Sequence, residues 1–390
     1  MLEGDLRRLI DRRLDVQGNT LEELNQEYTP QNDAKAISEI HLDDLLRAAC
    51  EKGSSDLHLT VGLPPVVRVD GSLQHLNYQH LQPNDTQRLI YDILSSDQVQ
   101  WFEKTRELDF SYGVKEVGRF RVNVYRQRGS VGAALRAIPD QIPSFEQLGL
   151  PSIIRELTRK HSGLILVTGP TGSGKSTTIA SMIDAINNEL PVHIMTMEDP
   201  IEYLHRHKRA MINQRELNTD TDSFENALRA VLREDPDVIL IGEMRDLETI
   251  AAALTLAETG HLVFGTLHTR NAPQTIDRVI DVFPPHQQDQ IKVQLSNSLE
   301  AVIAQQLCPQ LGGGRVAAIE IMIATSAIRN LIREGKTYQI YGVLETGAQF
   351  GMQTMDKVLA DLYRFGRISN EEAMARAIDR ENYKRFLQGG

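Results

Sequence analysis

One stretch of the chain has the residue types and the spacing of a phosphate-binding loop. It follows the pattern G-x-x-x-x-G-K-S and comprises Gly169, Pro170, Thr171, Gly172, Ser173, Gly174, Lys175, Ser176 and Thr177. Its glycines let the backbone turn its N–H groups inward around an anion. In such a loop the lysine reaches the β- and γ-phosphates of a nucleotide, and the serine hydroxyl binds Mg²⁺. We therefore expect Lys175 and Ser176 to have these roles.

The segments on either side of the loop match the context that this motif requires. Residues 164–168 form a short apolar run, which predicts a buried strand. Ile179, Ala180, Met182 and Ile183 follow at helical spacing. A chance match in an ordinary glycine turn would have no such flanks, so the stretch predicts nucleotide binding.

Acidic residues follow two other predicted strands. The apolar run at 238–241 ends in Gly242 and Glu243. An acid at this point of a phosphate-loop enzyme can orient or deprotonate the attacking water, or contact Mg²⁺. The alternative is a solvated acid at a strand end. Glu198, Asp199 and Glu202 follow the strand at 192–197. A single site does not need all three, so we expect at least one to be structural.

Two histidines flank a further predicted strand at 262–266. They are His261 and His268, and a neutral histidine can donate a hydrogen bond to a phosphate or a carboxylate. A histidine whose ring makes only structural hydrogen bonds is the commoner case. The position of His268 directly after a core strand favours a functional role.

The order of these patterns predicts an α/β protein with several parts. Strands alternate with helices beyond residue 141, which predicts a mostly parallel sheet. Residues 39–140 mix helix and strand without a catalytic motif, and Pro139 and Pro143 bracket the boundary. The last hundred residues are predicted to be helical. The divisions are a 1–38 extension and linker, a 39–140 α/β domain, and a 141–390 core with a C-terminal helical subdomain.

Composition, charge and cysteine spacing argue against several classes of protein. The 390 residues carry a net charge of −11, which argues against a nucleic-acid binder. Two distant cysteines give no zinc or disulfide pattern. We expect a cytoplasmic protein without a membrane span. A short leucine-rich stretch between Leu2 and Leu14 predicts a solvated helix or, alternatively, a docking or membrane-surface helix.

Four ordered motifs together resemble the secretion and pilus ATPases of the type II/type IV family. They are GPTGSGKST (Walker A), EDPIEY (Asp box), VILIGEMRD (Walker B) and GHLVFGTLHT (His box). The resemblance spans residues 40–387. It implies a homohexamer whose chains have a PAS-like N-terminal domain and a RecA-like P-loop core that uses ATP and Mg²⁺.

The resemblance also implies roles for individual residues. Glu202 and Glu243 match the catalytic acids, with Glu243 and Ser176 beside the metal, and His268 matches the histidine that faces the γ-phosphate. Arginines of the N-terminal domain are implied near the phosphates, and the best matches are Arg119, Arg121 and Arg136. We expect at least one of these three to be an ordinary solvated strand residue.

Residues 327–334 read AIRNLIRE, which is similar to an element of the retraction motors of the family. Ile328, Leu331 and Ile332 predict the apolar face of a helix, and Arg329 and Arg333 are expected on the solvated side. The resemblance implies that this polar face passes motion to the pilus machinery. The four-cysteine element of the extension motors is absent from the sequence.

The resemblance implies a Mg²⁺-dependent ATP-hydrolysing motor that powers pilus retraction and twitching motility. Its implied place is the cytoplasmic face of the inner membrane, where its partners are a platform protein and other pilus ATPases. The alternatives are an assembly ATPase for pilus extension or type II secretion, a non-hydrolysing regulatory ring, and a nucleic-acid translocase.

Overall fold

The computed structural model describes residues 34–69, 71–139 and 141–388. Contacts within this part of the chain divide it into two compact units, one that ends at Ala137 and one that begins at Ile138. The helix predicted between Leu2 and Leu14 lies outside the described residues. Among the described helices, none is long and apolar enough to cross a membrane.

The first unit is built on a single sheet. Its strands are β1 (Asp56–Leu59), β2 (Val66–Val69), β3 (Ser72–His75), β4 (Glu107–Val114), β5 (Gly118–Gln127) and β6 (Ser130–Ile138), and its helices are α1 (Leu42–Glu51), α2 (Pro83–Tyr91) and α3 (Ser96–Thr105). The described strands lie in the order β3-β2-β1-β6-β5-β4. The pairs β1–β2, β1–β6, β2–β3 and β4–β5 are antiparallel.

Side-chain alternation gives this sheet one apolar face. In β5, Phe120, Val122 and Val124 are buried, and Arg119 and Arg121 alternate with them. Successive residues of a strand point to opposite faces. The two arginines therefore lie on the face opposite the core of this unit.

The second unit contains a larger sheet. Its strands are β7 (Gly163–Thr168), β8 (His193–Glu198), β9 (Met211–Glu216), β10 (Val238–Ile241), β11 (Leu262–Leu267), β12 (Leu299–Pro309) and β13 (Arg315–Ile323). They lie in the order β13-β12-β7-β11-β10-β8-β9. Neighbours from β12 to β9 are parallel, and β13 is antiparallel to β12. The predicted mostly parallel sheet is confirmed.

Helices cover both faces of this sheet. Their bounds are α4 (Phe145–Leu148), α5 (Ser152–Leu157), α6 (Lys175–Glu189), α7 (Phe224–Val231), α8 (Leu247–Glu258), α9 (Ala272–Asp281), α10 (Pro285–Ser298), α11 (Ser326–Arg333), α12 (Ile340–Thr346), α13 (Met355–Arg364), α14 (Asn370–Arg376) and α15 (Arg380–Leu387). Leu164 and Leu166 of β7 pack with α7 to α11, whereas Ile165 and Val167 pack with α5 and α6. This α/β core is therefore a three-layer fold, as the alternation of patterns predicts.

The expectation that the last hundred residues are helical is wrong for β12 and β13. Ala301, Val302, Ile303 and Ala304 form a continuous buried run in β12. A strand buried on both faces has such a run, and periodicity does not distinguish it from a buried helix. Helices α11 to α15 follow β13, and α13 to α15 pack against Cys308 and Ala318, near the turn of the β12–β13 hairpin.

Helix α11 has the predicted apolar face. Ile328 and Ile332 are fully buried, and Leu331 packs against the same core. Arg333 is exposed, as expected. The apolar side chains thus fix the helix against the sheet and leave Arg333 at the surface.

The expected solvation of Arg329 is wrong. Its side chain is only 24% exposed and forms an ion pair with Glu300 at 2.7 Å. It also donates to three carbonyl oxygens, those of Ala324 (2.9 Å), Ser296 (2.7 Å) and Asn297 (2.7 Å). The last carbonyls of a helix lack partners within the helix. Arg329 therefore caps the end of α10 and ties α11 to it.

Candidate active site

The glycine loop connects the end of β7 to the start of α6. The first N–H groups of a helix have no partners within it, so an anion bound there is stabilised. Gly169 has a φ of 142°, and a Cβ at this position would lie 2.2 Å from the carbonyl oxygen of Gln305 in β12. Only glycine fits so close to a neighbouring backbone. The loop therefore has the predicted position between a buried strand and a helix N-terminus.

The Lys175 side chain folds back over the loop. Its Nζ donates to the carbonyl oxygens of Gly169, at 2.8 Å, and Pro170, at 3.1 Å. Burial lowers the pKa of Lys175, whereas the carboxylates of Glu243 and Glu202 act in the opposite direction. Both predicted acids therefore lie close enough to the ammonium group to interact with it electrostatically.

Glu243 follows β10 and is held from two sides. Its Oε2 accepts a hydrogen bond from Nη2 of Arg245 at 2.7 Å, and Nε of Arg245 lies 2.7 Å from Oε1 in the same ion pair. The ring Nε2 of His268 lies 3.0 Å from Oε1 of Glu243. The hydrogen bond from Arg245, aided by His268, holds the pKa of Glu243 below its usual value. In this arrangement the carboxylate is ionised but is a weak proton acceptor.

Backbone hydrogen bonds hold the ends of these strands in register. The N–H of Gly242 donates to Met197 at 2.8 Å, and the N–H of Met244 donates to Thr266 at 3.0 Å. These bonds connect the segment that follows β10 to the ends of β8 and β11. They explain why Glu243 meets His268, which lies 25 residues further along the chain.

Of the three acids at and after the end of β8, one is clearly structural. Glu198 accepts from the Thr196 hydroxyl at 2.6 Å and the Gln214 amide at 3.1 Å. It also accepts from the backbone N–H of Glu202, and burial raises the pKa of Glu198. Glu202 itself is exposed. Glu198 therefore fixes the backbone of the segment that presents Glu202.

Tyr203 connects this segment to the phosphate loop. Its hydroxyl lies 2.9 Å from the hydroxyl of Thr177 in the first turn of α6. The carbonyl of Tyr203 accepts from the Gln214 amide at 2.9 Å. Sequence reasoning missed Tyr203 and Arg245. The available signal was their position inside the Asp box and Walker B stretches.

The remaining predicted residues are divided between the two units. His261 has a structural contact, because its Nδ1 lies 3.0 Å from the carbonyl oxygen of Leu256. Arg136 in β6 donates to Asp56 of β1 at 2.8 Å, which is an ion pair within the sheet of the first unit. Arg121 is exposed and Arg119 is half-buried in the same unit. The second unit thus brings together Lys175 and the candidates Glu202, Glu243 and His268.

Known proteins resemble this chain over most of its length. The model of the type II/IV secretion system protein family matches residues 31–313. The type IV pilus retraction ATPase PilT of Pseudomonas aeruginosa is 52% identical over 342 residues, which cover 88% of this chain and 99% of PilT. A twitching motility protein of Neisseria gonorrhoeae is 49% identical over 319 residues, which cover 82% of this chain and 85% of that protein.

A solved structure has the same fold. The crystal structure of the pilus retraction motor PilT with bound ADP matches with a TM-score of 0.84 and 53% sequence identity. The match covers 89% of this chain and all of the PilT chain. Similarity of this extent includes the described α/β core and the first unit.

Proposed function

The chain belongs to the type II/IV secretion system protein family, and we propose that it is the ATPase that powers retraction of type IV pili. It hydrolyses ATP and couples hydrolysis to pilus disassembly and twitching motility. The observation that carries the chemistry is the convergence of Lys175, Glu202 and Glu243 beside one glycine loop. The similarity to named retraction ATPases over nearly the whole chain carries the cellular role.

ATP is proposed to bind with its phosphates in the loop and Mg²⁺ beside them. Mg²⁺ in such sites uses one or two protein oxygens, with phosphates and water as the other ligands. The hydroxyl of Ser176 at the start of α6 and the carboxylate of Glu243 fit this need. The described residues contain no cluster of three or more His, Cys, Asp or Glu side chains that could hold a metal without the phosphates. When bound, the metal neutralises charge on the phosphates.

The catalytic roles follow from the charges around the loop. Lys175 balances phosphate charge, and Glu243 accepts a proton from the attacking water once its ion pair with Arg245 opens. His268, which contacts Glu243, is proposed to donate toward the γ-phosphate. Glu202 is proposed as the second acid, held at the loop by the Tyr203–Thr177 contact.

The working assembly is proposed to be a homohexamer at the cytoplasmic face of the inner membrane. Its partner there is the pilus platform protein, and other pilus ATPases act beside it. The runner-up function is assembly of pili or of a type II secretion system. The AIRNLIRE element at 327–334 and the absent four-cysteine element argue against it.

A steady-state ATPase assay separates this function from a non-hydrolysing regulatory ring. The purified protein is expected to hydrolyse ATP with Mg²⁺, and Lys175→Ala is expected to lose hydrolysis because it removes the ammonium that faces the phosphates. Lys384→Ala in α15, an exposed lysine with only a surface partner, is the matched control. Unchanged turnover in Lys175→Ala would refute the site, and an inactive parent protein would favour the regulatory ring.

A further inference from the structure

Gln305 is a buried polar residue in β12 that the sequence motifs do not include. It is 2% exposed. β12 runs parallel to β7, with Ala304 opposite Thr168, the last residue of β7. Gln305 therefore lies directly beside the start of the phosphate loop.

Both ends of its side-chain amide contact the loop or the helix that follows. Nε2 of Gln305 donates to the carbonyl oxygen of Ser173 at 2.9 Å. Oε1 accepts from the hydroxyl of Thr178 at 2.8 Å. A carbonyl oxygen accepts only, so the N–H end of the amide must face Ser173. The Thr178 hydroxyl then satisfies the other end, and the amide has one orientation.

This contact determines the direction of a neighbouring N–H group. The carbonyl of Ser173 and the N–H of Gly174 belong to one planar trans peptide, in which the two groups point in opposite directions. A carbonyl held toward β12 therefore turns the Gly174 N–H away from that strand. The packing is close, because a Cβ on Gly174 would lie 2.8 Å from Nε2 of Gln305.

We propose that Gln305 is a positioning residue of the nucleotide site, which aims the N–H of Gly174 at a bound phosphate. The proposal rests on the proposed function, since it requires that the loop binds a nucleotide. Gln305 does not touch the nucleotide itself. It acts through the Ser173–Gly174 peptide, so its loss should weaken phosphate binding more than it destabilises the fold.

The neighbouring residue provides a matched control. Gln306 alternates to the other side of β12, where its amide donates to the carbonyl oxygen of Arg376 at 3.4 Å. It has the same side chain in the same strand but no contact with the loop. A general effect of losing a glutamine from β12 should therefore be equal in Gln305→Leu and Gln306→Leu.

The first test measures the dissociation constant of ADP, with Mg²⁺ present, by titration calorimetry on the full-length protein. Gln305→Leu is expected to weaken binding about tenfold, the effect of one lost oriented hydrogen bond. Gln306→Leu is expected to stay within about twofold, because it changes no loop contact. Binding by Gln305→Leu within twofold of the parent would overturn the proposal. If the parent protein itself binds no ADP, the proposed function is refuted independently of any effect of Gln305.

A second variant supplies a readout that a merely structural role would not give, and it also serves if Gln305→Leu does not fold. In Gln305→Glu, a protonated carboxyl can donate to Ser173 and accept from Thr178, as the amide does, whereas the carboxylate only accepts. Affinity relative to the parent at the same pH is expected to be near parental at low pH and to fall as pH rises. A ratio that does not change with pH would overturn the proposal.

Discussion

At the scale of single residues, the central feature is the state of Glu243. A general base needs a free, ionised carboxylate, yet Oε2 of Glu243 accepts from Arg245, and Oε1 lies within ion-pair distance of both Arg245 and His268. Charge-assisted bonds of this kind are strong. Release of Arg245 is therefore part of the catalytic cycle that we infer, and Arg245 controls the basicity of Glu243.

The pH dependence of hydrolysis tests this control. Arg245 lowers the pKa of Glu243, so Arg245→Ala should raise that pKa toward its usual value. Since a general base is active when deprotonated, the acidic limb of the pH profile of kcat/KM is expected to move to higher pH in Arg245→Ala.

Glu243→Gln tests the role of the carboxylate itself. This variant is expected to lower turnover about 10²- to 10⁴-fold, the usual contribution of a general base.

An exposed arginine far along the same unit serves as control for the Arg245→Ala experiment. Arg315 begins β13 and is exposed. Arg315→Ala is expected to leave the acidic limb in place. If the acidic limb of the pH profile of kcat/KM does not move in Arg245→Ala, Arg245 does not govern the ionisation of Glu243.

The sequence predicts much of the candidate site's composition at this scale. Lys175, Glu243 and His268 follow from motif spacing and strand ends. It does not predict that Glu198 is buried and structural, because the three acids of the Asp box look alike in sequence. Only the fold shows which carboxyl accepts from Thr196 and Gln214.

At the scale of elements, α11 separates a structural arginine from a surface one. Arg329 bonds to three carbonyl oxygens and to Glu300, whereas Arg333 is exposed. The two arginines belong to one motif, but Arg329 connects α11 to its neighbours and Arg333 lies at the surface. A double variant would therefore confuse instability with loss of coupling, so the residues have to be changed one at a time.

Single substitutions of Arg329 and Arg333 are expected to differ in their effect on stability. Arg329→Ala is expected to lower the free energy of unfolding by about 2 kcal/mol, since it leaves carbonyls at the end of α10 without their charged donor. Arg333→Ala should change stability by less than about 0.5 kcal/mol, as is usual for surface substitutions. Denaturant unfolding measures both values. Equal stability of the two variants would contradict the capping role of Arg329.

Arg333→Ala then tests coupling without a folding defect. ATPase activity is expected to stay within about twofold of the parent, because no phosphate contact changes. Pilus retraction in cells is expected to be lost or severely slowed. Normal retraction would show that Arg333 does not pass motion to the pilus machinery.

The strands are predicted unevenly, for a physical reason. β7, β8, β10 and β11 are short, mainly apolar runs bounded by glycine, proline, histidine or acidic residues, and the structure has them within one residue at each end. β12 and β13 are continuous buried runs without alternation. Their sequence fits strand or helix equally well, so the support that β12 gives the loop could not be predicted.

At the scale of the whole molecule, the first unit is expected to contribute to hydrolysis although it lacks catalytic motifs. The family resemblance implies an arginine there that stabilises charge on the leaving phosphate. Arg121 is exposed, whereas Arg136 is paired with Asp56. Arg121→Ala is expected to lower kcat with ADP affinity nearly kept, and Arg136→Ala should act mainly on stability. Parental kcat in variants of Arg119, Arg121 and Arg136 would refute a catalytic arginine in this unit.

The most direct test of the central claim is live imaging of labelled pili in cells from which the gene has been deleted. A retraction motor predicts long, abundant pili that extend but do not retract, and loss of twitching. The parent gene should restore retraction, and Lys175→Ala should not, because force requires hydrolysis. Retraction at the parental frequency in the deletion strain, or a loss of pili altogether, would contradict the account.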